Sequence, residues 1–385
     1  MITFARFSFR CLHARKGVSQ PALAGLLMAV LGAPMAGHAA TAPSLFKETD
    51  LVSDQPGMAQ FQDPDLIDAW GVAFAPGQPF WVADNGSGKS TLYTATGVKQ
   101  GSPVVTIANP AGNVTSAPTG QVYNGDYLNF MGDQFIFDSE NGAIVGWQLS
   151  DGNASVVRVD RSGSGAVYKG LALLNTSKGA VLLAANFNSG NVDVFDQNYH
   201  AVSLKGKFVD PKAPKGYAPF NVVVVGTSVY VLYAKQGPGK HDEIDATGDG
   251  FISIFKTDGT FMKRFTTGSG AGGKVSQLNA PWGLAIAPSG FGTYGKDVLV
   301  GNFGSGEIAV FTTTGTFVSF LHKSATAPVV IDGLWSILFG ADGTGDPNKL
   351  YFTAGPGGET HGLLGYLQYT KAKTTKPPVL GGGGY

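Results

Sequence analysis

The residues best suited to chemistry in this chain lie close together between positions 237 and 250, in the run Gly237-Pro238-Gly239-Lys240-His241-Asp242-Glu243-Ile244-Asp245-Ala246-Thr247-Gly248-Asp249-Gly250. Asp245, Thr247 and Asp249 offer hard oxygen ligands at alternate positions ahead of Gly250, which is the first half of a calcium loop. The match stops there, because the position that needs a bidentate carboxylate is Lys256 and Phe251 to Phe255 reads as a strand. Two readings follow. The plainer one is a solvated acidic loop; the sharper one is a metal site of His241, Asp242, Asp245 and Asp249. Ca²⁺ is the one ion that this set suits, and no other cofactor is expected.

Outside this stretch, aromatic, amide and acidic residues recur at strand ends. Trp70, Trp282 and Trp335 precede inner segments together with Asn221 and Asp332, while Asp84, Asn186, Lys235, Asn302, Glu359 and His361 follow second ones. On one face of a ring these side chains would form a funnel for a small polar ligand such as a sugar or lactone, with rings stacking and amides fixing orientation. Taken singly, each has a structural reading: a Trp before Gly packs between repeats, and an Asp or Asn at a strand end ties a turn. The rival is a metal-assisted lactonase or lyase, with Asp84, Asn186, Asn221 and Asn302 as oxygen ligands and His361 or His241 as general base. The remaining catalytic signals are weak: past residue 39 the only histidines are 200, 241, 322 and 361, and the single cysteine is Cys11. No nucleophile elbow or phosphate loop occurs.

A repeat positions these residues. Trp70-Gly71-Val72-Ala73-Phe74 returns as Trp282-Gly283-Leu284-Ala285-Ile286, with weaker copies that begin at Thr119, Lys169, Phe220 and Trp335. A short β-rich run follows each copy, from Phe80-Trp81-Val82-Ala83 to Leu350-Tyr351-Phe352-Thr353, and four of these runs enter Asn/Asp/Gly turns. Third and fourth strands such as Phe251 to Phe255 and Thr260 to Phe265 complete the unit. Six units of about fifty residues, without helical periodicity, predict an all-β six-bladed β-propeller with four-stranded blades. One interval is longer than the rest, and the excess is the run at 237–250, inserted after the second strand of blade four. The sixth unit lacks a fourth strand, which Phe46 to Val52 can supply to close the ring.

The ends and the charge give an address. Arg6, Arg10, Arg15 and Lys16, then the apolar run from Ala22 to Leu31, then Ala36-Gly37-His38-Ala39 form a secretory signal pattern with cleavage after Ala39. The expected organisation is therefore a signal peptide at 1–39, a propeller at 40–370 and a flexible Gly/Pro-rich tail at 371–385, in a periplasmic or secreted protein. Lys plus Arg equals Asp plus Glu at 27 each, which excludes the strong positive field of a nucleic-acid protein. No later segment can span a membrane, and a monomer is expected.

Several segments together carry a resemblance: Leu51 to Gly57, Trp81 to Gly86, Tyr233 to Gln236 with His241-Asp242, Leu299 to Gly304, Ile331 to Trp335 and Tyr351 to Pro356. In these the chain resembles the NHL-type six-bladed propellers (NHL/TolB-like) and, more closely, a family of exported bacterial proteins of unassigned function. The resemblance implies fold and export and identifies no reaction. The functional expectation is a binding module for a small polar ligand, a glycan or an envelope protein.

Overall fold

The computed structural model describes residues 44–101, 104–266 and 277–370. The leader expected at 1–39 and the tail at 371–385 lie outside the described residues. Within them the chain forms six sheets, five of them antiparallel meanders from an inner to an outer strand and the sixth completed by an N-terminal strand. Their innermost strands are Ala69–Ala73, Pro118–Tyr123, Tyr168–Thr176, Tyr217–Val225, Pro281–Ile286 and Leu334–Phe339. These are the blades of a six-bladed β-propeller, and each inner strand contacts the inner strand of the next blade.

Blade 6 closes the ring as the sequence suggests. Leu45–Ser53 pairs antiparallel with Leu363–Thr370, outside Lys349–Ala354 and Leu334–Phe339. Phe61–Gln62 then pairs parallel with the free edge of that N-terminal strand. Blade 3 has the thinnest outer edge: three strands form its ladder, and the fourth position is reduced to a single bridge between Phe195 and Ala201.

Alternation along the strands builds the core between the blades. In Phe80–Asp84, Phe80 and Val82 face blade 6 with Tyr351 and Leu364, whereas Trp81 and Ala83 face blade 2 with Phe135 and Phe137. Burying one such large side chain stabilises by about 1.5–3 kcal/mol, so successive blades are welded by shared apolar layers. The repeated Gly answers a close approach of neighbouring backbones. A Cβ on Gly71 would come within 2.5 Å of the Thr119 carbonyl oxygen, and one on Gly120 within 2.3 Å of the Leu171 nitrogen. Any larger residue at these two positions would push adjacent inner strands apart.

Candidate functional site

The residues preceding the six repeated inner segments are Trp70, Thr119, Lys169, Phe220, Trp282 and Trp335, and all six are buried. Four are aromatic, and they meet on the axis. Trp70 stacks on Trp335 with centroids 3.4 Å apart, Phe303 stacks on the Trp335 ring at 4.0 Å, and Trp282 meets both indoles edge-on. The funnel expected of Trp70, Trp282 and Trp335 is therefore a packed plug: the three rings come together, but at 1%, 4% and 0% exposure they offer no open face.

Polar groups fix this plug. Asp68 accepts the indole N–H of Trp70 at 2.8 Å and of Trp335 at 3.0 Å, and Trp282 donates to the Lys169 carbonyl at 2.7 Å. Asp68 holds a left-handed φ of 49°, a conformation that Asp tolerates better than most residues. Burial lifts its carboxyl well above the usual range, and the charges of Glu359 and Glu140 add to this.

Above the plug lies one ammonium amid carboxyls. Lys169, 2% exposed, forms an ion pair with Glu140, comes within 3.7 Å of Asp242, and stands 5.2 Å over the Trp70 ring. Burial alone would lower its pKa, but Glu140, Glu243 and Asp242 raise it above the ordinary value, so the amine stays protonated and is no nucleophile. Burial pushes Glu243 up to about 7 and raises Glu359 and Asp245 as well. Burial acts on Asp242 too, but its hydrogen bond to His241 and the Lys169 charge hold it below the usual range. Four carboxyls, those of Glu140, Asp242, Glu243 and Glu359, thus share the Lys169 charge, with Asp68 and Asp245 beside them.

The blade-four insertion brings three of these carboxyls in. It folds over the channel mouth: Gln236 donates to the carbonyls of Phe187 and Asn188 in blade 3, and Asp245 lies against Gly304 in blade 5, where a Cβ would come within 2.6 Å of its carboxylate. Glu140, His241 and Asp242 place ligand atoms within 4.8 Å of one another, a geometry that can hold a metal ion.

The metal set read from the sequence is thus half assembled. His241 and Asp242 meet, with Glu140 as the third member in place of Asp245 and Asp249. Asp249 is buried and engaged by Tyr217 at 2.8 Å and by Lys235 at 3.2 Å, which also accounts for Lys235. The other candidates are scattered. Asn186 ties its turn to Asp193 and Ser189, Asn302 binds the carbonyls of Gln277 and Glu307, and Asn221 donates to the Trp282 carbonyl. Asp84 is completely buried, and burial raises its pKa well above the usual range, against the lowering effect of the nearby Thr91 hydroxyl. Asp332 caps Gly357, and His361 pairs with Asp54 at 2.8 Å, so the two loop histidines do not meet even though the insertion folds inward. Glu359 joins the mouth, with a left-handed φ of 66°.

Sequence reading missed Lys169, Glu140, Asp68 and Glu243 as site residues. A signal existed for the first: lysine stands at a repeat position where three of the six copies carry tryptophan. Glu140, in Ser139-Glu140-Asn141-Gly142, was legible only as part of a turn.

No family model matches the chain. It is 34% identical over 342 residues to an uncharacterized protein of Acanthamoeba polyphaga mimivirus, covering 85% of this chain and 81% of the relative. A second uncharacterized protein of that virus is 32% identical over 341 residues, covering 85% and 86%. Among solved structures, a glucose dehydrogenase superposes with a TM-score of 0.52 at 13% identity, over 84% of this chain and 100% of its own. A calcium-binding protein, regucalcin from Agrobacterium tumefaciens, gives 0.51 at 11% identity, over 79% and 91%. These structural likenesses show the shared propeller fold.

Proposed function

Because this chain belongs to the same family as the two uncharacterized mimivirus proteins, whose descriptions name no activity, we propose a function from the site itself: a binding module whose channel mouth takes a divalent cation, Ca²⁺ first among them. The observation that carries this reading is the meeting of Glu140, His241 and Asp242, whose ligand atoms lie within 4.8 Å of one another, with the carboxyls of Glu243 and Glu359, raised in proton affinity, nearby. Burial is the main cause of that raised affinity, and a cation bound beside these carboxylates would supply countercharge in place of the lost solvation. Oxygen ligands outnumber the single His241, which favours a hard ion. Regucalcin, on a propeller of the same kind, is a calcium-binding protein, which is consistent with this reading. We further propose export to the periplasm or the medium, as the leader at 1–39 suggests, where Ca²⁺ is plentiful enough for a weak site.

The lactonase or lyase reading has less support. Its amide ligands Asn186, Asn221 and Asn302 are engaged within their own turns and walls, and His361 is held by Asp54. Calorimetric titration of the protein with Ca²⁺, Mg²⁺ and Zn²⁺ tests the proposal. Saturable Ca²⁺ binding in the range of about 10⁻⁴–10⁻³ M is expected, weakened at least tenfold in Asp242→Asn and in Glu140→Gln. Since burial pushes Glu243 up to about 7, affinity should rise as the pH is raised from 6 to 8. No heat and no thermal shift with any of the three ions up to about 10 mM would sink it.

A further inference from the structure

The channel has a second end. The first residues of the inner strands form the plug at the acidic mouth, and their later residues enclose a cavity of about 430 Å³ contributed by all six blades. Its walls include Val72, Phe74, Leu171, Val222, Leu284 and Leu338, and among the described residues no Asp, Glu, Lys, Arg or His lines it. Trp282 is the member of the plug that also borders it.

The polar lining is wholly uncharged. Each of the six inner strands is the edge of its sheet, so alternate backbone N–H and C=O groups face the axis without a ladder partner. Gln121 lines the cavity at 6% exposure, and its amide donates to the carbonyls of Gly71 at 2.7 Å and Trp81 at 2.6 Å, which ties it to blade 1. Ser336 also lines it, and although its N–H donates to Thr353, its hydroxyl makes no hydrogen bond among the described residues. A hydroxyl and backbone groups that face a cavity in this way are completed by water or by a ligand.

We propose that this cavity binds a small uncharged, hydroxyl-rich molecule, a sugar or a polyol. Each hydroxyl both donates and accepts, which matches a ring of backbone donors and acceptors, while the Val and Leu walls match the C–H faces of such a molecule. A charged ligand would lose its hydration with no counter-ion to meet it. The volume lies in the range of about 300–1,000 Å³ usual for small-molecule sites. This site is distinct from the cation site at the mouth, so either can fail alone.

The test uses the full chain in EDTA, which removes any metal from the mouth. Saturation-transfer NMR and tryptophan fluorescence are followed on adding D-glucose, myo-inositol or xylitol, with glucosamine and glucose 6-phosphate as charged counterparts. Saturable binding of at least one uncharged probe is expected, with its charged counterparts at least tenfold weaker. Ser336→Val, which removes the hydroxyl and fills space, should weaken binding at least tenfold; if that variant does not fold, Ser336→Ala serves and should weaken it severalfold. Absence of saturation by every uncharged probe, equal binding of charged ones, or unchanged affinity in the Ser336 variant would each overturn the proposal.

Discussion

Replacing Lys169 by Met keeps the length of the side chain and removes its charge, which isolates the electrostatic role of the ammonium. In the native protein Lys169 pairs with Glu140, itself only 12% exposed, and lies 3.7 Å from Asp242. A contact of that length contributes about 4 kcal/mol at an effective dielectric of ~20. Removing one partner of a buried pair costs about 3–5 kcal/mol, because the other charge is left without compensation. The two figures agree, so a loss of about 4 kcal/mol is expected above pH 8, equivalent to a fall in Tm on the order of 10 °C. Glu140 would keep the Asn85 amide at 3.0 Å and the His241 ring at 3.9 Å, neither a full countercharge. The deficit should shrink as the pH falls through about 7, where Glu243 takes up a proton and the repulsion among the remaining carboxyls eases. Urea denaturation at pH 6 and 8.5 of the wild type, Lys169→Met, Glu140→Gln and the double variant measures both effects. A loss under about 1 kcal/mol at pH 8.5, a deficit that does not change with pH, or a double variant no more stable than Lys169→Met would refute the reasoning.

Deletion of 239–247 removes Asp242, Glu243 and Asp245 while leaving Gln236 in place; calorimetry should show Ca²⁺ binding abolished, with the Tm changed by only a few degrees. Trp335→Ala empties the centre of the plug and deprives Asp68 of a donor, so urea denaturation should report a loss of about 3–5 kcal/mol. Burial raises Asp138 from 3.8 to about 7, so the native state holds a proton that the unfolded chain releases, and its contribution to stability declines as the pH rises from about 4 to 7. Asp138→Asn should flatten that decline in a pH series of thermal melts, and an unchanged slope would count against the assignment.

Fold and site were legible to different degrees for a physical reason. The repeat of Trp-Gly segments and the β-rich runs after them report local alternation and the close packing of Gly71 against Thr119, both written in contiguous residues. The placement of Leu45–Ser53 in blade 6 followed from counting strands. The mouth is assembled from Asp68, Glu140, Lys169, the insertion and Glu359, which come from five different blades, and no local pattern links them. The tryptophans were noticed as possible ligand contacts, yet six equivalent positions that all point at one axis leave too little room for anything but each other. Asn186 and Asn302 looked like ligands because an amide at a strand end serves a turn and a ligand with the same atoms. The thin edge of blade 3 was invisible, since Ala201-Val202-Ser203-Leu204 has a strand-like composition but contributes only one bridge.

The closing strand of blade 6 ties the timetable of folding to the order of synthesis. Leu45 pairs with Thr370 and Ser53 with Leu363, so the first of the described strands, apart from its two-residue pairing with Phe61–Gln62, waits for the last of them before its main ladder forms. Until then blade 6 is incomplete, and its neighbours in blades 5 and 1 expose the apolar faces that Phe46 and Leu364 later cover. Contacts that span the whole chain are slow to form, and a propeller joined in this way acquires its cooperativity only at the end. A chain cut short by a few strands should therefore be lost as a whole to aggregation or proteolysis, whereas joining the native ends and opening the ring between two other blades should leave a protein that still folds.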